Sequence, residues 1–390
     1  MSPRQKKTAQ PRAPRGKGGR GKKGQPPAQP TAEPAGAPPA EVAVAEPLPA
    51  EVAATERAVE APAAIRVGLP DEVRSVAAHG KISQVALSDD GELIAIASMS
   101  ADRRAPTVAI HRTRDASEVC SFTVETIAGN GKAACFDARG DLLFVAGDSL
   151  HRLKIGAAPE RLGRVDCEAM FRDAAGRRLA LVERSGAVRF VDADTPLADG
   201  WRHDAGRGHM TFGTQVRFIG ATSRALVGGL ADHGPQLVDV AEQKVLREYP
   251  PRSACADASP GGDLIVVYEP RTRRDDWLSI VRADANVDDA TSIARPAIGA
   301  QSIGSPEPIA FAPDGQQLVK TAAGVTMIDV ATGATSETRS TDAPTGSTHT
   351  PPLLARGAPV IAWSSFNFTR GDFRAYWARF SVASPATAAA

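Results

Sequence analysis

Aromatic residues are scarce in this chain, at 5% of 390 residues, and the first of them is Phe122. Residues 1–64 contain none, but they hold twelve prolines and sixteen alanines. A segment with so little apolar surface cannot offset the entropy lost on ordering it, so a disordered tail is expected there. No apolar run reaches the roughly 18 residues that a membrane-spanning helix needs, which leaves no membrane partner to expect. No apolar stretch follows the charged N-terminus either, so the expectation is a cytoplasmic protein without a secretory signal. The only cysteines are Cys120, Cys135, Cys167 and Cys255, and none forms a CxxC pair. They read as small buried side chains in a reducing compartment. No long segment keeps the 3.6-residue period of an amphipathic helix, which argues against parallel α/β folds.

Signatures of catalysis are equally thin. Gly129-Asn130-Gly131-Lys132 has a glycine-lysine ending, but the GxxxxGK[ST] spacing is missing and Ala133 stands where a magnesium-binding hydroxyl belongs. Asp192-Ala193-Asp194 begins like a calcium loop and is broken by Thr195-Pro196. His203 and His209 flank a glycine-rich loop with only Asp204 as a third ligand, a pattern that reads as solvated rather than metal-bound. No GxSxG elbow occurs. The expectation is therefore no catalytic residue, no cofactor and no metal.

The formal net charge of +1 conceals an asymmetry. Residues 1–24 carry nine Lys or Arg and no acid, while residues 25–64 carry six Glu and the single base Arg57. Within the first stretch Arg15, Lys17, Arg20, Lys22 and Lys23 are interleaved with glycine. Such a flexible cationic strip can follow an anionic surface by releasing counterions. With no aromatic to stack on bases, any nucleic-acid contact through residues 1–24 would be blind to sequence.

Beyond residue 65 a repeat takes over. Residues 84–97, centred on Gly91, have the same shape as residues 133–146, centred on Gly140: strand, tight turn, strand. Similar segments surround Gly176, Gly262 and Gly315, and weaker ones surround Thr222 and Gly357. A third strand is expected after most copies, as at Thr107–His111, Gln236–Val240 and Val325–Val330. The turns are 36 to 53 residues apart, with a mean of about 44. That period, with short alternating strands, indicates the blades of a propeller. The reading is one all-β propeller of four-stranded blades over residues 65–383, seven of them or six given the degenerate Thr222 and Gly357 copies, between a disordered tail at 1–64 and a disordered end at 384–390. Ring closure is expected from residues 72–78 pairing with the last strand, near Phe373–Val382.

The turns Ser88-Asp89-Asp90-Gly91, Ser259-Pro260-Gly261-Gly262 and Ala312-Pro313-Asp314-Gly315 lie between apolar strands. In this they resemble bacterial WD-repeat-like propellers, whose fold serves many roles. The likeness covers nearly all of residues 80–383.

For function, the leading expectation is a non-catalytic protein-interaction scaffold. The loops between second and third strands should share one face and carry Arg103, Arg104, Arg184, Arg271, Arg273, Arg274 and Arg370, with Trp277 beside them. The first hairpin turns, with Asp89, Asp90, Glu92, Asp141, Asp263 and Asp314, should make the opposite face acidic. The arginine face would bind an acidic protein surface or a nucleic-acid backbone. Phe366 and Phe368, expected in the loop before the last strand, are contact candidates because exposed aromatics anchor interfaces. Two alternatives stand beside the scaffold. A lactonase- or hydrolase-type propeller would need metal-ligating side chains around its axis. The inner strands, such as Val85-Ala86-Leu87 and Val216-Arg217-Phe218, are nearly free of them. A nucleic-acid- or ribosome-associated protein would act through the basic tail instead.

Overall fold

The chain divides into Met1–Ala58 and Val59–Ala390. A computed structural model describes residues 67–78, 80–100, 106–123, 133–205, 214–220, 222–228, 234–249, 256–270, 276–282, 309–321, 324–340, 348–350, 352–367 and 370–382. The expected tail, with Arg15, Lys17, Arg20, Lys22 and Lys23, lies outside the described residues, as does the end at 384–390.

Strands are the only regular elements among the described residues, and they form seven sheets. The first contains Gly80–Leu87, Leu93–Ser100, Pro106–Arg112 and Glu118–Thr123. The second contains Ala134–Phe136, Leu142–Ala146, Ser149–Leu153 and Glu160–Arg164. The third contains Ala169–Arg172, Arg178–Val182, Val188–Asp192 and Trp201–His203. The fourth contains Gln215–Phe218, Arg224–Gly228, Gln236–Asp239 and Lys244–Glu248. The fifth contains Ala256–Ala258, Leu264–Pro270 and Asp276–Arg282. The sixth contains Ile309–Phe311, Gln317–Thr321, Gly324–Asp329 and Thr335–Ser340. A closing sheet joins Thr348–His349, Leu353–Leu354, Val360–Asn367 and Asp372–Val382 to the N-terminal strand Val67–Ala77. Strand number is thus uneven: five sheets have the expected four strands, the fifth shows three among the described residues, and the closing sheet has five.

Each of the first six sheets is an antiparallel meander because its first two strands are joined by a turn too short for any other connection. The turns repeat a single bonding scheme. In the first sheet Gly91 N donates to Ser88 O at 3.0 Å and Ser88 N to Leu93 O at 3.0 Å; the pattern returns at Gly176, Gly262 and Gly315, and at Gly140 with Asp137 N donating one residue nearer, to Asp141 O. Gly91 sits at φ 67°, a left-handed conformation that side chains disfavour. A Cβ at Gly91 would also stand 2.8 Å from Val360 Cγ2 of the closing sheet, so the glycine serves both its turn and the packing of its neighbour.

Successive sheets pack face to face, and the closing sheet packs on both the sixth and the first. One apolar cluster fills each of the seven interfaces, which makes the assembly a propeller ring. Phe136, Phe144 and Ala95, for example, lie between the first and second sheets. Full burial of a side chain such as Phe144 is worth about 1.5–3 kcal/mol.

Ring closure runs as the sequence implied. Val67–Ala77 pairs antiparallel with the C-terminal strand, from Val67 opposite Val382 to Ala77 opposite Arg374. Trp363 and Tyr376 stack at 5.5 Å beneath it. Trp377 reaches into the first sheet, where its Nε1–H donates to Thr113 O at 2.8 Å. One expectation in this region fails. Phe366 is a strand residue paired with Phe373, buried to 7% exposure, rather than an exposed loop anchor. The strand Val360–Asn367 is buried along its whole length.

Candidate functional site

The innermost strands have an edge with no ladder partner, and its polar groups need other bonds. Side chains on those strands supply them. Gln84, on the first sheet, accepts from Ala134 N at 3.1 Å and from Met170 N at 3.3 Å, and its Nε2 donates to Met170 O at 2.7 Å. One amide thereby ties the first, second and third sheets. Arg217, on the fourth, places its Nε 3.3 Å from Asp257 Oδ1 on the fifth. Its guanidinium lies 5.7 Å from the Phe171 ring of the third sheet, and its Nη2 donates a long 3.4 Å bond to Pro352 O beside the closing sheet. Asp257 Oδ2 accepts Phe311 N of the sixth sheet at 2.8 Å. Burial pushes the Asp257 carboxyl above the ordinary carboxylate range, while Arg217 and the Phe311 N–H pull it down.

A third lock lies at the hairpin-turn end of the inner strands. Arg172 Nη2 of the third sheet donates to Asp89 Oδ1 in the first sheet's turn. Arg356 of the closing sheet places its Nη1 3.7 Å from the same oxygen and donates through Nη2 to Arg172 O. Gly357 N donates to Asp89 O at 2.7 Å, and a Cβ on Gly357 would stand only 3.1 Å from that oxygen. Together these bonds touch all seven sheets. Gln84, Arg172 and Asp257 carry no motif in the sequence; the one signal for Arg172 and Asp257 is a polar residue on a short, otherwise apolar inner strand.

The residues singled out from sequence fare differently. Arg103, Arg104, Arg271, Arg273, Arg274 and Phe368 lie outside the described residues. Trp277 is in the strand Asp276–Arg282, opposite Glu269. Arg184 is exposed, but its Nε lies 3.2 Å from Asp166 Oδ1. Two further arginines near the same rim are also paired: Arg164 with Asp148 at 3.4 Å and Arg202 with Glu183 at 2.8 Å. Arg370 is exposed in a turn, where its N–H donates to Asn367 Oδ1 at 3.1 Å. Arg164, Arg184 and Arg202 on this face are therefore held in ion pairs rather than set out as a uniform basic field.

On the opposite face the acidic side chains hold their own turns. Asp90 Oδ1 accepts Glu92 N and the Ser88 hydroxyl, and Asp137 Oδ1 accepts Arg139 N and Asp141 N. Asp314 Oδ1 accepts Gln316 N while its Oδ2 accepts Val67 N of the closing strand. These carboxylates are spent on turn backbone, as short Asp side chains commonly are. The Ser88 hydroxyl bond, opposed by burial and aided by the Glu92 N–H, holds the Asp90 carboxyl below the ordinary range.

His203 is buried in the strand Trp201–His203, where its Nε2 lies 2.8 Å from Gln236 Oε1, so it is not a solvated loop residue. Burial pushes the Cys135 thiol up to about 12 and the Cys167 thiol higher still, as suits structural cysteines. No group of three or more His, Cys, Asp or Glu among the described residues could hold a metal. At the ring's seam a cavity of about 300 Å³ opens over Trp377 and Phe380, rimmed by Asp71, Arg74, Arg114 and Arg379.

No family model matches the chain, and no curated protein matches it. Among solved structures, a chain titled Kuenenia stuttgartiensis Hydrazine Synthase is similar, at a TM-score of 0.53 and 13% identity, over 79% of this chain and 98% of that one. Similarity at that distance shows the propeller fold and nothing about activity.

Proposed function

We propose that the protein is a non-catalytic binding platform, a bacterial WD-repeat-like propeller working in the cytoplasm, with each of its seven sheets acting as one blade. The observation that carries this reading is the use made of polar side chains at the ring's axis. Gln84, Asp89, Arg172, Arg217, Asp257 and Arg356 bind sheet to sheet. In an enzyme of the propeller hydrolase kind, that position would be given to a reacting group. The loops at the ends of the blades are then the working surface. Arg103, Arg104, Arg271, Arg273, Arg274 and Arg370 would meet an acidic protein partner, and the basic strip within residues 1–24 would add a second, salt-sensitive attachment.

The test is capture of binding proteins by the full chain and by a variant with Arg103, Arg104, Arg271, Arg273 and Arg274 changed to Glu. A partner retained at moderate salt by the parent and lost by the variant supports the platform. Retention by the variant, with loss only on removing residues 1–64, moves the function to the tail.

A further inference from the structure

The locks at the axis differ in charge balance. At Arg217–Asp257 one guanidinium meets one carboxylate, and Asp257 is 6% exposed and bonded on both oxygens. At the other lock two guanidiniums share the single carboxylate of Asp89, whose side chain is 45% exposed. The Arg172 side chain is 2% exposed, and its Nε and Nη1 are buried with no hydrogen-bond partner. Unpaired buried donors on a charged group are costly, and native structures rarely leave them so. Arg356 is the more open of the two, at 27% exposure, and burial together with the adjacent Arg172 cation lowers its guanidinium to about 10. The neighbouring carboxylates do not restore the balance. Asp173 Oδ1 is committed to Arg177 N and Arg178 N, and Asp137 faces Arg152 at 3.8 Å while holding its own turn.

We propose that Arg172 and Arg356 form a binding site for a small oxyanion, a phosphate or carboxylate group, reached from solvent beside Asp89. The planar guanidinium fork suits two oxygens of one group, and two forks set together suit a multidentate anion better than a single chloride. The incoming group competes with Asp89, which is the one lock carboxylate open to solvent. Because Arg172 and Arg356 come from the third and closing sheets, the ligand bridges sheets that are not neighbours, and binding stabilises the ring.

The experiment is thermal unfolding and calorimetric titration of the full chain with inorganic phosphate and, separately, acetate. Sodium chloride at matched ionic strength is the control. One or both oxyanions should raise the unfolding midpoint saturably while chloride does not, and the arm that does so identifies the chemistry. Asp89→Asn, which removes the competing charge, should lower the half-saturating concentration by about tenfold. Arg356→Gln should abolish the response, whereas Arg139→Gln, at an exposed arginine paired with Asp194, should leave it intact. Equal shifts with chloride overturn the proposal, as does an Asp89→Asn protein that binds no more tightly than the parent. The Asp89 arm decides the matter even if Arg356→Gln fails to fold.

Discussion

Arg217–Asp257 and Asp89–Arg172–Arg356 do the same mechanical work on opposite terms. The first is closed and balanced: one cation, one carboxylate, both shielded, with Phe311 N completing the set. The second is open and cation-rich, with its carboxylate half in water. A buried pair holds a ring together strongly because breaking it strands a charge away from solvent, whereas an open lock can exchange its anion because water compensates the loss. One ring thus carries both a fixed joint and an exchangeable one.

Substitutions should separate the two. Asp257→Ala strands Arg217 and should cost about 3–5 kcal/mol in denaturant unfolding. Were the cost near that of a surface ion pair, the closed lock would be no lock. Gln84→Ala removes three bonds among the first three sheets and should cost about 1–3 kcal/mol. Asp89→Ala should cost less in saturating oxyanion than in chloride, because the bound anion takes the place of the lost carboxylate beside the buried Arg172 guanidinium. A double-mutant cycle between Asp89 and Asp257 should be additive to within about 0.5 kcal/mol, since the two locks share no partner.

Acid titration gives the smallest effect and the clearest sign. Asp90 lies below its ordinary value of 3.8 in the folded protein, so its contribution is present above that value and lost as pH falls through the folded-state value. Asp90→Asn should therefore lose less stability than the parent between about pH 5 and about pH 3. Asp257 runs the other way: its folded-state value is raised, so its own contribution weakens as pH rises through that value. Urea unfolding as a function of pH measures both.

Much of the ring was legible in the chain because its signals are local. A Gly-containing turn flanked by alternating apolar residues specifies a hairpin within about ten residues, and Gly91, Gly140, Gly176, Gly262 and Gly315 all take the left-handed conformation that this requires. The Thr222 copy, without glycine at the fourth position, still turns, because Gly220 takes φ 52° and the Thr222 hydroxyl donates to Ile219 O. The exposure of Phe366 was misjudged because a strand buried on both faces shows no alternation to mark its end.

The amino-acid sequence by itself determined most of the inner hairpins, their turns, their period and the pairing that closes the ring. Only the tertiary structure decided what the lone polar residues on the inner strands do. Arg172 finds Asp89 83 residues away, Gln84 finds Met170 at 86, and Arg356 finds Arg172 at 184. Turn chemistry acts between neighbours in the chain, but these pairings exist only once the seven sheets converge on an axis.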